Sequence, residues 1–593
     1  MSWRPLLIAA IMAIHSALVL YQAKWDSPVW DEVAHFAAGV EHWRYGKFEL
    51  FYVNPPFARM VATCLIPLLA PSADPYKYVS PAITPGGRVE FPVGSWLAKD
   101  MGPRYFDLLF IARACCLPFS LLAGFICYKW AADLWNFKAG IVALTLWCFS
   151  PTVLGYAHII TPDLPSACLA ISSCYVFNQW LKSPSFLKAS GVGGVLGIAE
   201  LTKTTLLVLI PLFVLLWLVC RIHVIRNRRA AGRELLQLAS IFIVCLWMLN
   251  LGYGFEGSFE KLGDFDFISS SLSGIPAPNG GAAHGNAFRQ GILSVVPVPV
   301  PRNYLLGIDY MKWEFERKEW SFLDGEWRMG GWYYYYALGL LYKEPTPIWI
   351  LGAMATLIWT IKDRKFHAIA VVILPFAALF GLVSSQTGFN HHLRYILPAF
   401  PFLVILISYV AKGMEAPPVK YGIVLGCLGW YVLSSLWVAP HSLSYFTELV
   451  GGPKSGHLHM DSSNVDWGQN LLYLRQWYDE HPTARPLHVK NALTLIAPDL
   501  AGMVALNIPR LESGEAGANG SSIEPGWYCI SVDYVFNDRT HDFDYFQNLR
   551  PIDYVGGTMP IYYIDETLAK QLRLKVSSGN PSEMGKKNTR VGS

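Results

Sequence analysis

Two adjacent carboxylates, Asp31 and Glu32, follow the first apolar run of the chain in the segment SPVWDEVAHFAAGVEHWRYG. A carboxylate within hydrogen-bond reach of a hydroxyl can act as a general base and remove its proton. The alternative is that Asp31 caps a short amphipathic helix carrying Val33 and Phe36. The pair is our first candidate for acid–base chemistry, with helix capping as the competing interpretation.

Basic side chains near the ends of apolar runs are candidates for binding an anionic phosphate. Arg59 follows two prolines in NPPFARMVATCLIPLL, where its guanidinium could bind phosphate or extend to the membrane surface. Arg394 begins an apolar run in HHLRYILPAFP, and an ionisable residue inside a membrane segment is by default a functional candidate. The candidate phosphate-binding residues are Arg59, Lys343, His391, His392 and Arg394.

Three further charged residues in apolar surroundings each have a structural alternative. Asp163, in TPDLP, is either an acidic site residue or the N-cap of the following helix. Lys203 could face a phosphate, but an ion pair with Glu200 is the favoured interpretation. Arg113 could also face a phosphate, pair with Asp107, or extend to the membrane surface.

The segment GGPKSGHLHMDSSNVDWGQNLLYLRQW near the C-terminus is dense in side chains that bind sugars. An indole ring offers an apolar face, and amides and carboxylates exchange hydrogen bonds with hydroxyls. Asp466, Trp467 and Gln469 are therefore candidate acceptor-binding residues. The alternative is that Asp466 caps a helix formed by LLYLRQW.

The composition places these residues in a membrane protein. The 593-residue chain is 53% hydrophobic and only 15% charged, whereas soluble chains carry about 25% charged residues. The net charge of +4 argues against a nucleic-acid surface. Most cysteines lie in apolar runs and are expected to be small buried hydrophobes. The chain lacks CxxC patterns, so we predict no zinc site.

Hydropathy predicts about eleven transmembrane helices, each needing about 20 mostly apolar residues. The first apolar run is interpreted as a retained helix or signal anchor. Connections rich in Lys and Arg, which are typical of the cytoplasmic side, recur at every second position and predict a cytoplasmic N-terminus. The predicted helices lie near 5–22, 106–129, 138–159, 163–181, 188–202, 204–222, 235–254, 345–361, 367–386, 394–411 and 420–439.

The predicted fold is therefore an all-α polytopic membrane protein with a small C-terminal α/β soluble domain. The membrane domain covers 1–441 and carries outer loops at 23–105 and 255–344. Strand-like runs such as GWYCISVDYV and GGTMPIYYID predict an extracytoplasmic α/β domain at 442–575. Residues 576–593 are polar and are predicted to be a disordered tail. Asn519 begins a glycosylation sequon.

The Asp-Glu pair followed by a Pro-Pro motif resembles the protein O-mannosyltransferase-like members of the GT-C glycosyltransferases. TPDLP, LTKTT, YYYYALGLLYKEPTP and HHLRYILPAFP continue the resemblance over most of the first 470 residues. It implies that Asp31 is the catalytic base, that Glu32 is its partner, and that Asp163 is a further acidic site residue. Some relatives hold a divalent cation at these acidic positions and others do not, so a cation stays open as a cofactor.

The resemblance implies transfer of a sugar from a polyprenyl-phosphate-linked donor to an acceptor hydroxyl, with inversion, on the non-cytoplasmic face of a bacterial plasma membrane. The acceptor could be a lipid, a glycan or a protein. The chain departs from the family pattern at Asn54, where His is usual, and at Glu344, where Thr is usual. The alternative function is a transporter or flippase of lipid-linked sugars, which would place charges in the middle of helices.

Overall fold

The computed structural model describes residues 3–79, 87–276, 281–362, 366–413, 418–491, 494–510 and 523–577. The helices of the first half are α1 (Trp3–Trp25), α2 (Trp30–Tyr45), α3 (Phe57–Thr63), α4 (Ile66–Leu69), α5 (Glu90–Met101), α6 (Arg104–Ala114), α7 (Leu117–Leu134), α8 (Phe137–Cys148), α9 (Pro151–Tyr156), α10 (Asp163–Lys182), α11 (Phe186–Glu200), α12 (Leu209–Arg221) and α13 (Arg228–Gly252). The remaining helices are α14 (Ser270–Ser273), α15 (Arg302–Arg317), α16 (Tyr335–Lys343), α17 (Pro347–Lys362), α18 (Phe366–Ser385), α19 (Phe400–Ser408), α20 (Pro418–Val438), α21 (Leu471–Glu480), α22 (Val532–Phe536) and α23 (Glu566–Ser577).

Every predicted transmembrane segment contains helix, and the prediction of a mostly helical membrane protein is confirmed. Within the described residues, six helices are long and apolar enough to cross a membrane, and four shorter apolar helices accompany them. Two predicted helices are interrupted at proline. The segment 138–159 divides before Pro151, where the Ser150 hydroxyl accepts a hydrogen bond from Val153 N and caps α9. The segment 394–411 begins as a 3₁₀ helix that contains Pro398.

The glycine-rich helix α11 packs closely against α13. A Cβ atom at Gly193 would lie 2.5 Å from Ile241 O, and one at Gly197 would lie 2.5 Å from Met248 Cβ. These glycines are four residues apart and therefore occupy one face, which lets two membrane helices approach closely. Glu200, at the end of α11, and the following Lys203 are both buried.

The C-terminal region forms a mixed five-stranded sheet, which confirms the predicted small α/β part. Its strands are β3 (Leu487–Lys490), β4 (Ala505–Leu506), β5 (Gly526–Ile530), β6 (Asp553–Val555) and β7 (Met559–Ile564). The spatial order is β4-β3-β5-β7-β6, with β3 parallel to β4 and β5, and β7 antiparallel to β5 and β6. A separate hairpin, β1 (Trp320–Leu323) with β2 (Glu326–Met329), lies in the second predicted outer loop.

The sheet shares a hydrophobic core with the first predicted outer loop. Val33 and Phe36 of α2 and Leu97 of α5 belong to the same buried cluster as Leu487 of β3 and Ile561 of β7. This packing holds α2, which carries Asp31, against the C-terminal region. Helix α23 continues to Ser577, so the predicted tail begins inside a helix. The rest of that tail and the sequon at Asn519 lie outside the described residues.

Candidate active site

Asp31 lies in the first turn of α2, a few residues after α1 ends. Its Oδ2 accepts a hydrogen bond of 2.8 Å from Nη2 of Arg394, at the start of the 3₁₀ helix before α19. The Asp31 side chain is 25% exposed, whereas that of Arg394 is buried. Residues far apart in the chain therefore meet, and the carboxylate stays accessible to an incoming group.

A second carboxylate and a second cation extend this ion pair. Asp163 Oδ2 lies 3.4 Å from Nε of Arg394, and Asp163 Oδ1 accepts a 2.6 Å hydrogen bond from Nζ of Lys203. We call Asp31, Arg394, Asp163 and Lys203 the charge cluster. Its two anions alternate with two cations, which reduces the penalty of burying each charge.

The structural alternatives for two members of the charge cluster are wrong. Asp163 is the first residue of α10, and the N-cap position before it makes no side-chain cap. Lys203 bonds to Asp163, while Glu200 accepts a hydrogen bond from the Tyr304 hydroxyl. Burial lowers the pKa of Lys203, and the Asp163 charge opposes that shift.

Arg394 retains capacity to bind an anion. Its Nη1 is buried and has no hydrogen-bond partner among the described residues. One face of the guanidinium covers the ring of Trp467 at 4.0 Å, a cation–π contact that fixes the orientation of its donors. Trp467, predicted to bind an acceptor, therefore supports Arg394. Single-sequence reasoning treated the two residues separately and missed this contact.

Glu32 is fully buried and bonded to its surroundings. It accepts hydrogen bonds from Arg113 Nε (2.9 Å) and Nη2 (2.5 Å), from Val29 N (3.1 Å) and from Ile160 N (3.0 Å). Burial raises the pKa of Glu32, but Arg113, the hydrogen bond from Ile160 N and the His158 charge together lower it further, so the pKa is lowered overall. Asp107, one of the alternatives for Arg113, pairs with Lys24 instead, and the pairing of Arg113 with Glu32 was not predicted. Glu32 thus anchors the turn that carries Asp31.

Arg59 and Lys343, two predicted phosphate ligands, donate to groups of the protein itself. Arg59 Nε donates to His42 Nε2 at 2.7 Å, and its Nη2 donates to Phe51 O. Lys343 Nζ donates to Leu443 O at 2.7 Å and to a second main-chain carbonyl. Burial lowers the pKa of Lys343, and the neighbouring carboxylate at 344 opposes the shift. Their phosphate-binding role stays a prediction.

His391 and His392 hold the segment that leads to Arg394. His392 Nδ1 is hydrogen-bonded to the Ser463 hydroxyl at 2.7 Å, and His391 Nε2 is hydrogen-bonded to Trp320 O. Burial lowers the pKa of His392 well below its usual value, and the nearby Arg394 charge lowers it further. The two imidazoles therefore brace the site, and direct contact with a phosphate stays a prediction.

Asp466 and Gln469 stabilise the loop that carries Trp467. Asp466 Oδ2 accepts a 2.8 Å hydrogen bond from the Ser531 hydroxyl, and burial raises the Asp466 pKa to about 6. Gln469 Oε1 accepts a 2.7 Å hydrogen bond from Trp467 N. The N-cap of α21 is Asn470, so the interpretation of Asp466 as the cap of that helix is wrong. Direct acceptor binding by these residues stays a prediction.

Sequence reasoning missed a carboxylate near Asp31. Glu314, on α15, accepts a 3.3 Å hydrogen bond from Arg88, which also pairs with Glu90. Burial raises the pKa of Glu314, Arg88 opposes the shift, and the charge of Asp31 adds to the increase. The segment RNYLLGIDYMKWEFER forms an amphipathic helix, and this pattern does not distinguish Glu314 from the other charged residues of the segment.

The residues present do not fit a divalent cation between the acidic positions. Arg394 occupies the place between Asp31 and Asp163 where such an ion would have to bind both carboxylates. In the part of the chain that the structure describes, no group of three or more His, Cys, Asp or Glu side chains is arranged to hold a metal.

Comparison with protein families agrees with the class of membrane glycosyltransferases. The family model described as dolichyl-phosphate-mannose-protein mannosyltransferase matches residues 92–248. This match confirms the resemblance to GT-C membrane glycosyltransferases that the motifs indicated. At this general level, it supports glycosyl transfer from a polyprenyl-phosphate-linked sugar by an integral, multi-pass membrane protein. A search of curated proteins gives no significant match.

Solved structures of low sequence identity are also similar. ArnT from Cupriavidus metallidurans in the apo state is 13% identical, with 94% of this chain and 98% of that chain covered and a TM-score of 0.44. ArnT from the same organism bound to undecaprenyl phosphate is 13% identical, with 93% and 97% covered and a TM-score of 0.44. The Archaeoglobus fulgidus oligosaccharyltransferase, in complex with Zn and sulfate, is 11% identical, with 88% and 68% covered and a TM-score of 0.36.

Proposed function

We propose that this protein transfers a sugar from a polyprenyl-phosphate-linked donor to an acceptor hydroxyl, with inversion at the anomeric carbon. The charge cluster is the observation that carries the proposal, because it joins an accessible carboxylate to a cation with an unused buried donor. The reaction takes place on the non-cytoplasmic face of a plasma membrane, with the N-terminus in the cytoplasm and the C-terminal sheet outside. The acceptor is a lipid, a glycan or a protein.

The lipid phosphate is the leaving group, and its charge increases as the glycosidic bond breaks. Arg394 binds this phosphate through the N–H groups of Nη1 that have no partner within the described residues. A preorganised donor in a buried site stabilises developing charge more strongly than a solvated one. Lys203, bonded to Asp163, adds positive charge on the same side of the site.

Asp31 is the general base of the reaction. The acceptor oxygen forms a bond to the anomeric carbon as the bond from that carbon to the phosphate oxygen breaks. The hydroxyl proton passes to the Asp31 carboxylate. Asp31 accepts from Nη2 of Arg394 through Oδ2, so Oδ1 can accept the hydrogen bond of the acceptor hydroxyl while the phosphate binds Nη1. Glu32 is a positioning residue, because it fixes the first turn of α2 through Arg113.

The decisive experiment compares Asp31→Asn with Asp107→Asn, a control at an exposed carboxylate that pairs with Lys24. Purified proteins in nanodiscs receive a radiolabelled polyprenyl-phosphate sugar and a membrane extract that supplies acceptors. Removing a general base should slow transfer by about 10²–10⁴-fold, and the control should keep the wild-type rate. Undiminished transfer by Asp31→Asn would remove Asp31 as the base. In a parallel assay with sealed proteoliposomes, movement of intact labelled lipid between leaflets without any transfer would favour the flippase alternative.

A further inference from the structure

A cavity of about 420 Å³ lies beside the candidate active site, between the β1–β2 hairpin and α22. Its size falls within the range of small-molecule sites, about 300–1,000 Å³. His391 forms part of its lining, so the 391–394 segment leads from this cavity to Arg394. The other lining residues used below are Trp320, Trp327, Asp461, Asp533 and Arg539.

Buried carboxylate oxygens in this cavity lack hydrogen-bond donors. Asp461 is only 7% exposed, and its Oδ1 has no hydrogen-bond partner among the described residues. Asp533 lines the same cavity, and the Asn537 amide and Ser462 N lie beside its carboxylate but do not reach hydrogen-bond geometry within the described residues. A buried acceptor left unsatisfied destabilises a protein by about 1–3 kcal/mol. Such groups persist where a ligand supplies the missing donors.

Aromatic rings of the β1–β2 hairpin also line the cavity. Trp327 packs on Phe322 of the hairpin, and the guanidinium of Arg539 lies 3.7 Å from the Trp320 ring centroid. Arg539 covers one face of Trp320 and lies 5.9 Å from the Trp327 ring centroid, so the cavity combines indole rings with guanidinium donors and carboxylate acceptors. The C–H face of a sugar ring and its hydroxyls match this combination.

Backbone strain occurs at the same place. Ser462 has a φ of 56°, a left-handed conformation that costs a residue with a Cβ atom free energy. Ser462 lines the cavity directly after Asp461. The left-handed turn therefore directly follows the Asp461 carboxylate in the wall of the cavity.

We propose that this cavity binds a sugar ring of the acceptor, so that the acceptor is a carbohydrate or a glycolipid. The inference rests on the proposed function, which requires an acceptor next to Asp31 and Arg394. A metal ion fits less well, because the described residues contain no group of three metal-ligating side chains and two indoles line the space. Burial raises the pKa of Asp461 to about 6, which also disfavours a fully ionised acidic pocket.

The test measures sugar binding separately from transfer. Saturation-transfer-difference NMR on the full chain in nanodiscs uses methyl glycosides of neutral hexoses, pentoses and amino sugars as probes. Trp327→Ala and Asp461→Asn should each weaken binding at least tenfold. The matched controls are Trp96→Ala, at an exposed indole, and Asp499→Asn, at an exposed carboxylate. Both controls should bind as the wild type does.

Each outcome decides for or against the cavity. Glycoside binding that is lost in the two cavity variants and kept in Asp31→Asn supports the cavity as a sugar site. This conclusion holds even if Asp31→Asn keeps full transfer, a result that would refute only the proposed base. Absence of binding by every glycoside, or equal binding by the cavity variants, overturns it. Displacement of the glycoside signal by simple alkyl amines would overturn it in favour of a cationic ligand. Thermal unfolding of each variant identifies loss of fold, and Asp533→Asn serves as the substitute where either cavity variant unfolds.

Discussion

Replacing Glu32 by glutamine distinguishes a positioning role from participation in the reaction. The substitution removes the charge that faces Arg113, whose side chain is 1% exposed. Arg113 would keep its hydrogen bonds to the carbonyls of Ala23, Asp26 and Ser27, but not its counter-charge. Breaking a buried ion pair by removing one partner destabilises a protein by about 3–5 kcal/mol. This is a large part of the typical total stability of about 5–15 kcal/mol.

The assay is thermal unfolding in detergent, followed by the transfer rate per mole of folded protein. We expect Glu32→Gln to unfold several degrees lower, whereas Asp31→Asn should unfold near the wild-type temperature. Combining Glu32→Gln with Arg113→Met removes both charges and should recover part of the lost stability. A Glu32→Gln protein with unchanged unfolding temperature and abolished transfer would refute the reasoning, because Glu32 would then act in the chemistry itself.

Three other predictions concern donor binding by Arg394, the buried carboxyl of Glu41 on α2, and metal dependence. Arg394→Lys keeps a positive charge but loses the planar arrangement that reaches both Asp31 and Asp163. The KM for the lipid donor should rise about tenfold to a hundredfold, from the loss of about 1.5–3 kcal/mol. An unchanged KM would contradict donor binding by Arg394. Burial raises the pKa of Glu41 to about 7 from 4.5. The wild type should therefore lose stability as pH rises from 4.5 through 7. The unfolding temperature of Glu41→Gln should accordingly rise relative to that of the wild type between pH 5 and pH 8. A difference in unfolding temperature that stays constant over this range would contradict the prediction. Treatment with EDTA should leave the transfer rate unchanged because Arg394 fills the space between the carboxylates, and loss of activity restored by a divalent cation would refute that interpretation.

Hydropathy predicted the helical framework because the membrane imposes a length and a composition on every segment that crosses it. The strand-like run GGTMPIYYID likewise predicted β7, and the first half of GWYCISVDYV predicted β5, whereas its second half forms the helix α22. The interruption before Pro151 was readable in principle, since proline disfavours a continuous helix. These features depend on neighbouring residues in the chain, which a single sequence displays directly.

Long-range pairing was decided only by the tertiary structure. Lys203 was expected to pair with Glu200 three residues away, yet it bonds to Asp163 across two helices. Arg394 meets Asp31 across a separation of 363 residues, and its ring contact is Trp467. A short local spacing always offers a candidate ion pair. In a buried site, however, packing determines which charges can approach.

The sequence alone therefore determined that the chain is a membrane protein, which segments are helical, and that Asp31 is the candidate base. The position of Asp31 could be read from the sequence because it directly follows the first helix. The tertiary structure decided that Glu32 anchors α2 through Arg113 and that Arg394 lies between two carboxylates. The physical reason is that burying a charge is unfavourable unless a partner is supplied. That partner comes from whichever element the fold places next to it, and chain distance does not limit the choice.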